Sequence, residues 1–297
     1  MDLEEKKYWI AFNVFWEIGP TRFKLLCDFF GSAKKAFTAT DGQLRKIGLG
    51  EKPVNSFLSF RKSFNFDSYY LRLKKLRIEV ICLEDNNYPK LLREISNPPF
   101  LFYVKIKDTA YINKLFKRKA IAVVGTRKIT DYGKQVTRKI TSDLVAKDFV
   151  IVSGLARGVD KVAHETTINS KGLTFAVLGC GLDIVYPSEH ADLEEKIIES
   201  GGMIIGEFPL GTPPNPENFP LRNRIISGLS LGVVVTEAAE KSGSLITASC
   251  AAEQGREVFA IPGPITSSLS LGNSELLKKG AKVVTKVEDI LEELSVL

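Results

Sequence analysis

The chain has 297 residues, 44% of them hydrophobic and 26% charged, a composition that suits a globular protein of about two domains. Its apolar runs are strand-sized, such as residues 121–124, and fall far short of the ~20 apolar residues that span a bilayer. The opening MDLEEKKYWI has no apolar stretch before a cleavage site, so neither a membrane span nor a secretory signal is expected and the protein should stay in the cytoplasm. The net charge of +6 is uneven: residues 1–119 hold 23 Lys and Arg against 13 Asp and Glu, whereas residues 120–297 hold 18 against 22. A polyanionic partner and a plain solvated surface both explain such an excess, so charge alone does not choose. The four cysteines form no C-x-x-C pair and the two histidines no zinc-like spacing, so reduced thiols and no metal are expected.

Residues 1–65 are expected to form a small helical domain. Apolar residues recur at helical spacing through Tyr8, Ile10, Phe12, Val14 and Phe15, and again over residues 23–30. Between them Gly19-Pro20 closes one helix and opens the next, a turn similar to the hairpin of helix-hairpin-helix modules but equally usable by any helical packing unit. Helical patches at 34–47 and 54–62 complete a bundle of about 60 residues, small enough to need a neighbour. Residues 66–119 read as a connecting segment with lead-in strands at 78–83 and 100–106.

From residue 120 to 297 the pattern changes. Apolar runs at 121–124, 150–152, 175–178, 203–205, 233–235, 258–261 and 282–284 alternate with amphipathic stretches at 132–147, 159–170, 189–200, 222–229, 244–254, 274–278 and 287–294. Short Val- and Ile-rich runs without alternation are what a parallel sheet covered on both faces requires, so an α/β, doubly wound domain is predicted.

Ligands of such sheets bind where strands hand over to helices. Those loops are Gly125-Thr126-Arg127, the run from Ser153 and Gly154 through Arg157 and Gly158 to Asp160, Gly179-Cys180-Gly181, and Glu237 through Ser242, Gly243, Ser244 and Thr247. Glycines let backbone N–H groups approach a phosphate, hydroxyls add donors, and Arg127, Arg157, Arg222 and Arg224 add guanidinium groups that stay charged. Any one loop is explained by a tight turn, but four together favour an anion. A dinucleotide and a nucleoside triphosphate lose ground, because the first strand runs into V-V-G-T-R-K rather than G-x-G-x-x-G and no G-x-x-x-x-G-K-[ST] occurs. No cofactor is expected. Residues 211–220 contain four prolines and read as an irregular excursion. It runs into Phe219, Arg222, Asn223 and Arg224, an aromatic, two arginines and an amide that suit a stacked base and neighbouring phosphates of a single strand. Phe219 serves equally as a buried anchor, and Arg222 or Arg224 as a partner for Glu207 or Glu237.

At these residues the chain resembles the DNA processing protein A (DprA/Smf) family. The resemblance rests on Val124 to Arg127, Ser153 to Asp160, Gly179 to Asp183 with Tyr186-Pro187, Asn218 to Ser230, Glu237 to Thr247, Gln254 to Val258, Ile261 to Pro264, Gly272-Asn273 and Gly280-Ala281. It covers about residues 80 to 290, with the motifs in order. It implies an extended Rossmann-like, doubly wound, mostly parallel sheet, preceded by a small all-α helix-hairpin-helix or SAM-like domain. It further implies a homodimer without catalytic activity that binds single-stranded DNA in natural transformation and recombination, protects incoming strands and helps load the RecA recombinase. Carried over by position, Gly125, Thr126 and Arg127 form a phosphate clamp with Ser153, Gly154 and Arg157 beside it. Arg222, Asn223 and Arg224 follow the strand, and Ser242, Gly243, Ser244 and Thr247 add contacts. Many members carry a C-terminal winged-helix-like module; the last predicted helix ends close to Leu297, so none is expected here.

The competing expectation is a phosphoribohydrolase-like enzyme cleaving a nucleoside monophosphate, with Glu237 as its carboxylate. Its P-G-G-x-G-T-x-x-E signature is missing from the sequence. His164 reads as a structural or surface histidine, and Glu237 and Asp160 as organisers of loops.

Overall fold

The computed structural model describes residues 1–294. Helix α1 (Leu3–Val14) starts where the Asp2 carboxylate accepts the Glu5 N–H at 2.7 Å. Pro20 then opens α2 (Pro20–Phe30), as the Gly-Pro pair predicts, because the first helical turn needs no proline N–H. The patch expected at 34–47 is two short helices, α3 (Ala33–Thr38) and α4 (Asp41–Arg45). Thr40 and Gln43 form a reciprocal capping box that starts the second afresh. Helices α5 (Glu51–Ser63) and α6 (Phe66–Lys75) follow. Aromatic rings fill the bundle: Phe12 stacks on Phe57 at 5.1 Å, and Phe23 stacks on Phe100 at 4.1 Å. Phe100 precedes a sheet strand, so helices and sheet share one apolar core.

The rest of the chain runs β1 (Ile78–Cys82), α7 (Lys90–Arg93), β2 (Leu101–Lys105), α8 (Ile112–Phe116), β3 (Ala120–Val124), α9 (Asp131–Ala146), β4 (Val150–Ser153), α10 (Val159–Asn169), β5 (Thr174–Leu178), α11 (Ala191–Glu199) and β6 (Met203–Gly206). It continues with α12 (Asn218–Gly228), β7 (Gly232–Val235), α13 (Gly243–Glu253), β8 (Glu257–Ala260), α14 (Leu271–Lys278), β9 (Lys282–Val283) and α15 (Val287–Leu294). Among the described residues the strands form one sheet in the order β1-β2-β6-β5-β4-β3-β7-β8-β9. From β6 to β9 every pair is parallel, while β1 with β2 and β2 with β6 are antiparallel. The doubly wound, mostly parallel sheet is therefore as predicted. The two lead-in strands extend it by pairing onto β6.

Both faces are covered. Ala122, Val124, Val152 and Val235 point to one side, packed with α12 and α13, and Ile121, Val123, Ile151 and Val234 to the other, packed with α9 and α15. Strand order reverses between β3 and β7, which opens a crevice at their carboxyl ends.

A polar relay joins the helical bundle to the loop after β6. The Leu210 N–H donates to the Tyr69 hydroxyl at 2.9 Å, Tyr69 to Tyr103 at 3.2 Å, and Tyr103 to Asn13 at 2.8 Å. The Asn13 amide donates to the Glu207 carbonyl at 3.1 Å. Among the described residues no helix is long and apolar enough to cross a membrane, and all four cysteines are free.

Candidate nucleic-acid interface

The β3–β7 crevice is built by backbone. The Thr126 N–H donates to the Glu237 carbonyl at 2.7 Å, and the Val159 N–H to the Thr126 carbonyl at 3.1 Å, so the loops after β3, β4 and β7 are tied together. Gly125 is required by this closeness: a Cβ there would lie 2.5 Å from Val159 Cγ2 and 2.6 Å from the Glu237 carbonyl. Above the junction lies a cleft of about 590 Å³. Gly125, Thr126, Arg127, Phe219, Arg222, Asn223, Ser242, Gly243, Ser244 and Thr247 all line it.

Arg127 is exposed at its mouth, with the guanidinium carbon 5.4 Å from the centre of the Phe219 ring. Lys128 and Lys241 are exposed beside it, and among the described residues none of the three forms an ion pair. The N-terminus of α13 opens on the same space; the Ser242 hydroxyl caps it at the Ser244 N–H and lies 2.8 Å from the Ser244 hydroxyl. Asn223 is nearly buried and donates to the Gly243 carbonyl at 3.2 Å, locking α12 to that N-terminus.

Arg222 is built in rather than presented. Its side chain is buried under the loop after β4 and donates to the Val177 carbonyl at 2.6 Å. Gly154 makes room for it, since a Cβ there would collide with Arg222 Nη1 and lie 2.7 Å from Asp160 Oδ2. Asp160 in turn accepts the N–H groups of Gly154 and Ala156 at 3.1 and 3.2 Å. Burial brings the Arg222 guanidinium down to about 10, against the pull of Asp160, so it stays charged at neutral pH. Burial raises the Asp160 carboxyl, and Arg222 and the two amides oppose the rise. The result is a fixed cation in the cleft wall, its Nε without a hydrogen-bond partner among the described residues.

Five candidates do not line the cleft: Arg224, Ser153 and Gly158 are taken up by the fold, and Gly154 and Arg157 border a small neighbouring pocket. Arg224 lies on the other side of α12 and is held by both oxygens of Glu207, at 2.7 and 2.8 Å. Ser153 is fully buried and donates to the Val123 carbonyl at 2.7 Å, which joins β4 to β3. Gly158 supplies a turn at φ 76, with its α-carbon packed on the Thr126 carbonyl where no Cβ fits. Arg157 borders a small neighbouring pocket and pairs with Glu189 at the surface. The helix expected from residue 222 begins a turn earlier, at Asn218, because Pro220 falls in the first turn, where its missing N–H costs nothing. That turn places Phe219 between Arg127 and Arg222, with Tyr186 at 5.5 Å.

Sequence reasoning did not single out Lys128, Lys241 or Tyr186 as site residues. Lys128 and Lys241 sit within or beside the very loops it identified, so loop membership was the available signal. Glu237 has both carboxylate oxygens taken by Thr130, from its N–H at 2.8 Å and from its hydroxyl at 2.5 Å, and is buried. It organises the loop. His164 is buried, with Nδ1 2.7 Å from the Thr174 hydroxyl, and desolvation lowers its pKa to about 3. Among the described residues no group of His, Cys, Asp or Glu side chains is placed to hold a metal ion.

Over residues 79–295 the chain matches the family described as DNA recombination-mediator protein A. Protein Smf of Escherichia coli is 44% identical over 84% of this chain, and the match spans 66% of that relative's length. The solved structure of DNA processing protein A from Streptococcus pneumoniae superposes with a TM-score of 0.79 at 33% identity, covering 97% of this chain and 96% of that one. DNA processing protein A from Helicobacter pylori, whose structure addresses its single-stranded DNA binding mode, superposes with a TM-score of 0.64 at 30% identity, covering 74% and 96%.

Proposed function

The chain belongs to the DNA recombination-mediator protein A family, and from that premise we propose that the β3–β7 cleft grips single-stranded DNA by its backbone without chemically altering it. The observation that carries this reading is the unpaired Arg127 and Lys128 on a glycine loop, next to the buried cation of Arg222 and the face of Phe219. Phosphates would sit on the guanidinium and backbone N–H groups, and a base would stack on Phe219, a sequence-tolerant mode because every base has a π-face. The commitment of Glu237 to Thr130 supports binding over glycosidic-bond cleavage. In the same proposal the protein works in the cytoplasm as a homodimer, protects strands entering during transformation, and hands them to the RecA recombinase.

The test is fluorescence anisotropy with a labelled oligo-dT and its duplex at about 50 and about 200 mM salt. Preferential single-strand binding that weakens steeply with salt is expected, because phosphate contacts release counterions. Salt-independent binding, or turnover of nucleoside monophosphates abolished by Glu237→Gln, would replace the reading with the enzymatic one. Sedimentation with and without oligonucleotide tests the dimer, and RecA filament nucleation on protein-coated strands tests the hand-over.

A further inference from the structure

A second cavity, of about 450 Å³, opens at the opposite end of the sheet, by Ala120 at the start of β3, Phe175 in β5 and Leu231 before β7. Its floor is apolar: Phe116 meets Phe175 edge-on at 6.1 Å, with Leu229 beside them. Among the described residues its charged lining is entirely cationic, made of Lys90, Lys117, Lys119 and Arg118, with no carboxylate. Arg118 reaches outward to the Asp148 carboxylate. The three lysines are exposed, and among the described residues they form no ion pair.

Two features separate this cavity from a phosphate site. Chains arrive at this end of the sheet from the carboxyl ends of α9, α10 and α12, whose last carbonyls carry partial negative charge, and α7, which starts at the rim, is only four residues long. Its lysines are also mobile point charges without the fixed fork of a guanidinium, so they can follow carboxylates spread along an extended chain. An aromatic floor beneath such a ring calls for a bulky apolar group on the same ligand.

We infer that this cavity docks a segment of a partner protein that is acidic and carries a bulky apolar side chain. The side chain anchors in the floor at Phe116, Phe175 and Leu229, and the flanking carboxylates meet Lys90, Lys117 and Lys119. Charge complementarity sets the encounter rate and the apolar anchor holds the complex. The inference goes beyond the DNA-binding reading and stands without it. Because the cavity and the cleft lie at opposite ends of the strands, both can be occupied together.

The experiment uses the full chain and a fluorescein-labelled hexapeptide of four aspartates followed by leucine and phenylalanine. Saturable anisotropy is expected. Affinity should fall roughly tenfold when Lys90, Lys117 and Lys119 are all replaced by alanine, and again when the peptide's two apolar residues are replaced by serine. The lysines are exposed, so the triple variant should melt like the parent protein, which separates lost docking from lost folding. No saturable binding, binding unchanged in the triple variant, or displacement of the peptide by oligo-dT or by a nucleoside monophosphate would each overturn the inference.

Discussion

The two ends of the parallel sheet are both basic, but they are made differently. At the carboxyl end the cation of Arg222 is buried, hydrogen-bonded to Val177 and fitted over Gly154, and glycine-bearing loops are tied to one another through backbone amides. At the amino end three lysines stand in solvent around an apolar hollow, with no ion pair to the described residues fixing their direction. A doubly wound sheet imposes this difference, because helices begin at one end and finish at the other. The two proposals follow this difference: rigid recognition of phosphate at the first end, and adaptable recognition of carboxylates at the second.

Substitutions at the built end should therefore damage folding and binding together. Arg222→Ala should have the largest effect, a loss of about 3–5 kcal/mol of stability, because it leaves the Asp160 carboxylate buried without its cation. Chemical denaturation measures it, and an unchanged midpoint would erase the contrast between the two ends.

Next in size is an acid response located at the amino end of β5. Thr174 donates its hydroxyl proton to the Ile151 carbonyl, so His164 must donate from Nδ1 to the Thr174 oxygen and is neutral when folded. Its pKa is lowered from 6.5 to about 3 by burial. In the unfolded chain it takes up a proton below about 6.5, so stability should drop as pH falls from there towards about 3, by about 2–3 kcal/mol between about pH 7 and about pH 4. Denaturation at both pH values should show this slope, and His164→Asn, which keeps an N–H donor, should flatten it.

Arg127→Ala should separate binding from folding, weakening oligo-dT affinity by about 1–3 kcal/mol for every base composition while leaving the melting temperature alone. A base-dependent loss would move Arg127 from the backbone to base reading. The smallest change is expected for Arg157→Ala. Its partner Glu189 is at the surface with it, so the melting temperature should not move measurably.

The built end was largely legible in the sequence because its requirements are local. Strand-length apolar runs, glycines at each hand-over and hydroxyls after them all follow from what a tight strand-to-helix turn demands, and the observed strands start and stop within a residue or two of those runs. The sequence offers Glu207 as a partner for either Arg222 or Arg224 but does not say which of the two turns away from the cleft. Two residues on a helix point about 200° apart, so only one of the pair can face the cleft, and the other must find a partner such as Glu207. The pairing of β2 with β6 was hidden for another reason: strand partners are set by long-range packing, which apolar periodicity within one segment does not encode. The lysine-ringed hollow is not legible in the sequence because its residues come from segments far apart in the chain, and only their charge shows there, as the basic excess of residues 1–119.

The tyrosine relay gives the first helices an influence on a loop they do not adjoin in sequence. Tyr69 and Asn13 hold Leu210 and Glu207, and from there the chain climbs through its prolines to Phe219. Deleting those helices would strand the Leu210 amide, bare the apolar face that the sheet shares with them and unmoor the aromatic ring from its guanidinium companions, so the cost of a shortened protein would fall on the sheet and the proposed base-stacking surface together.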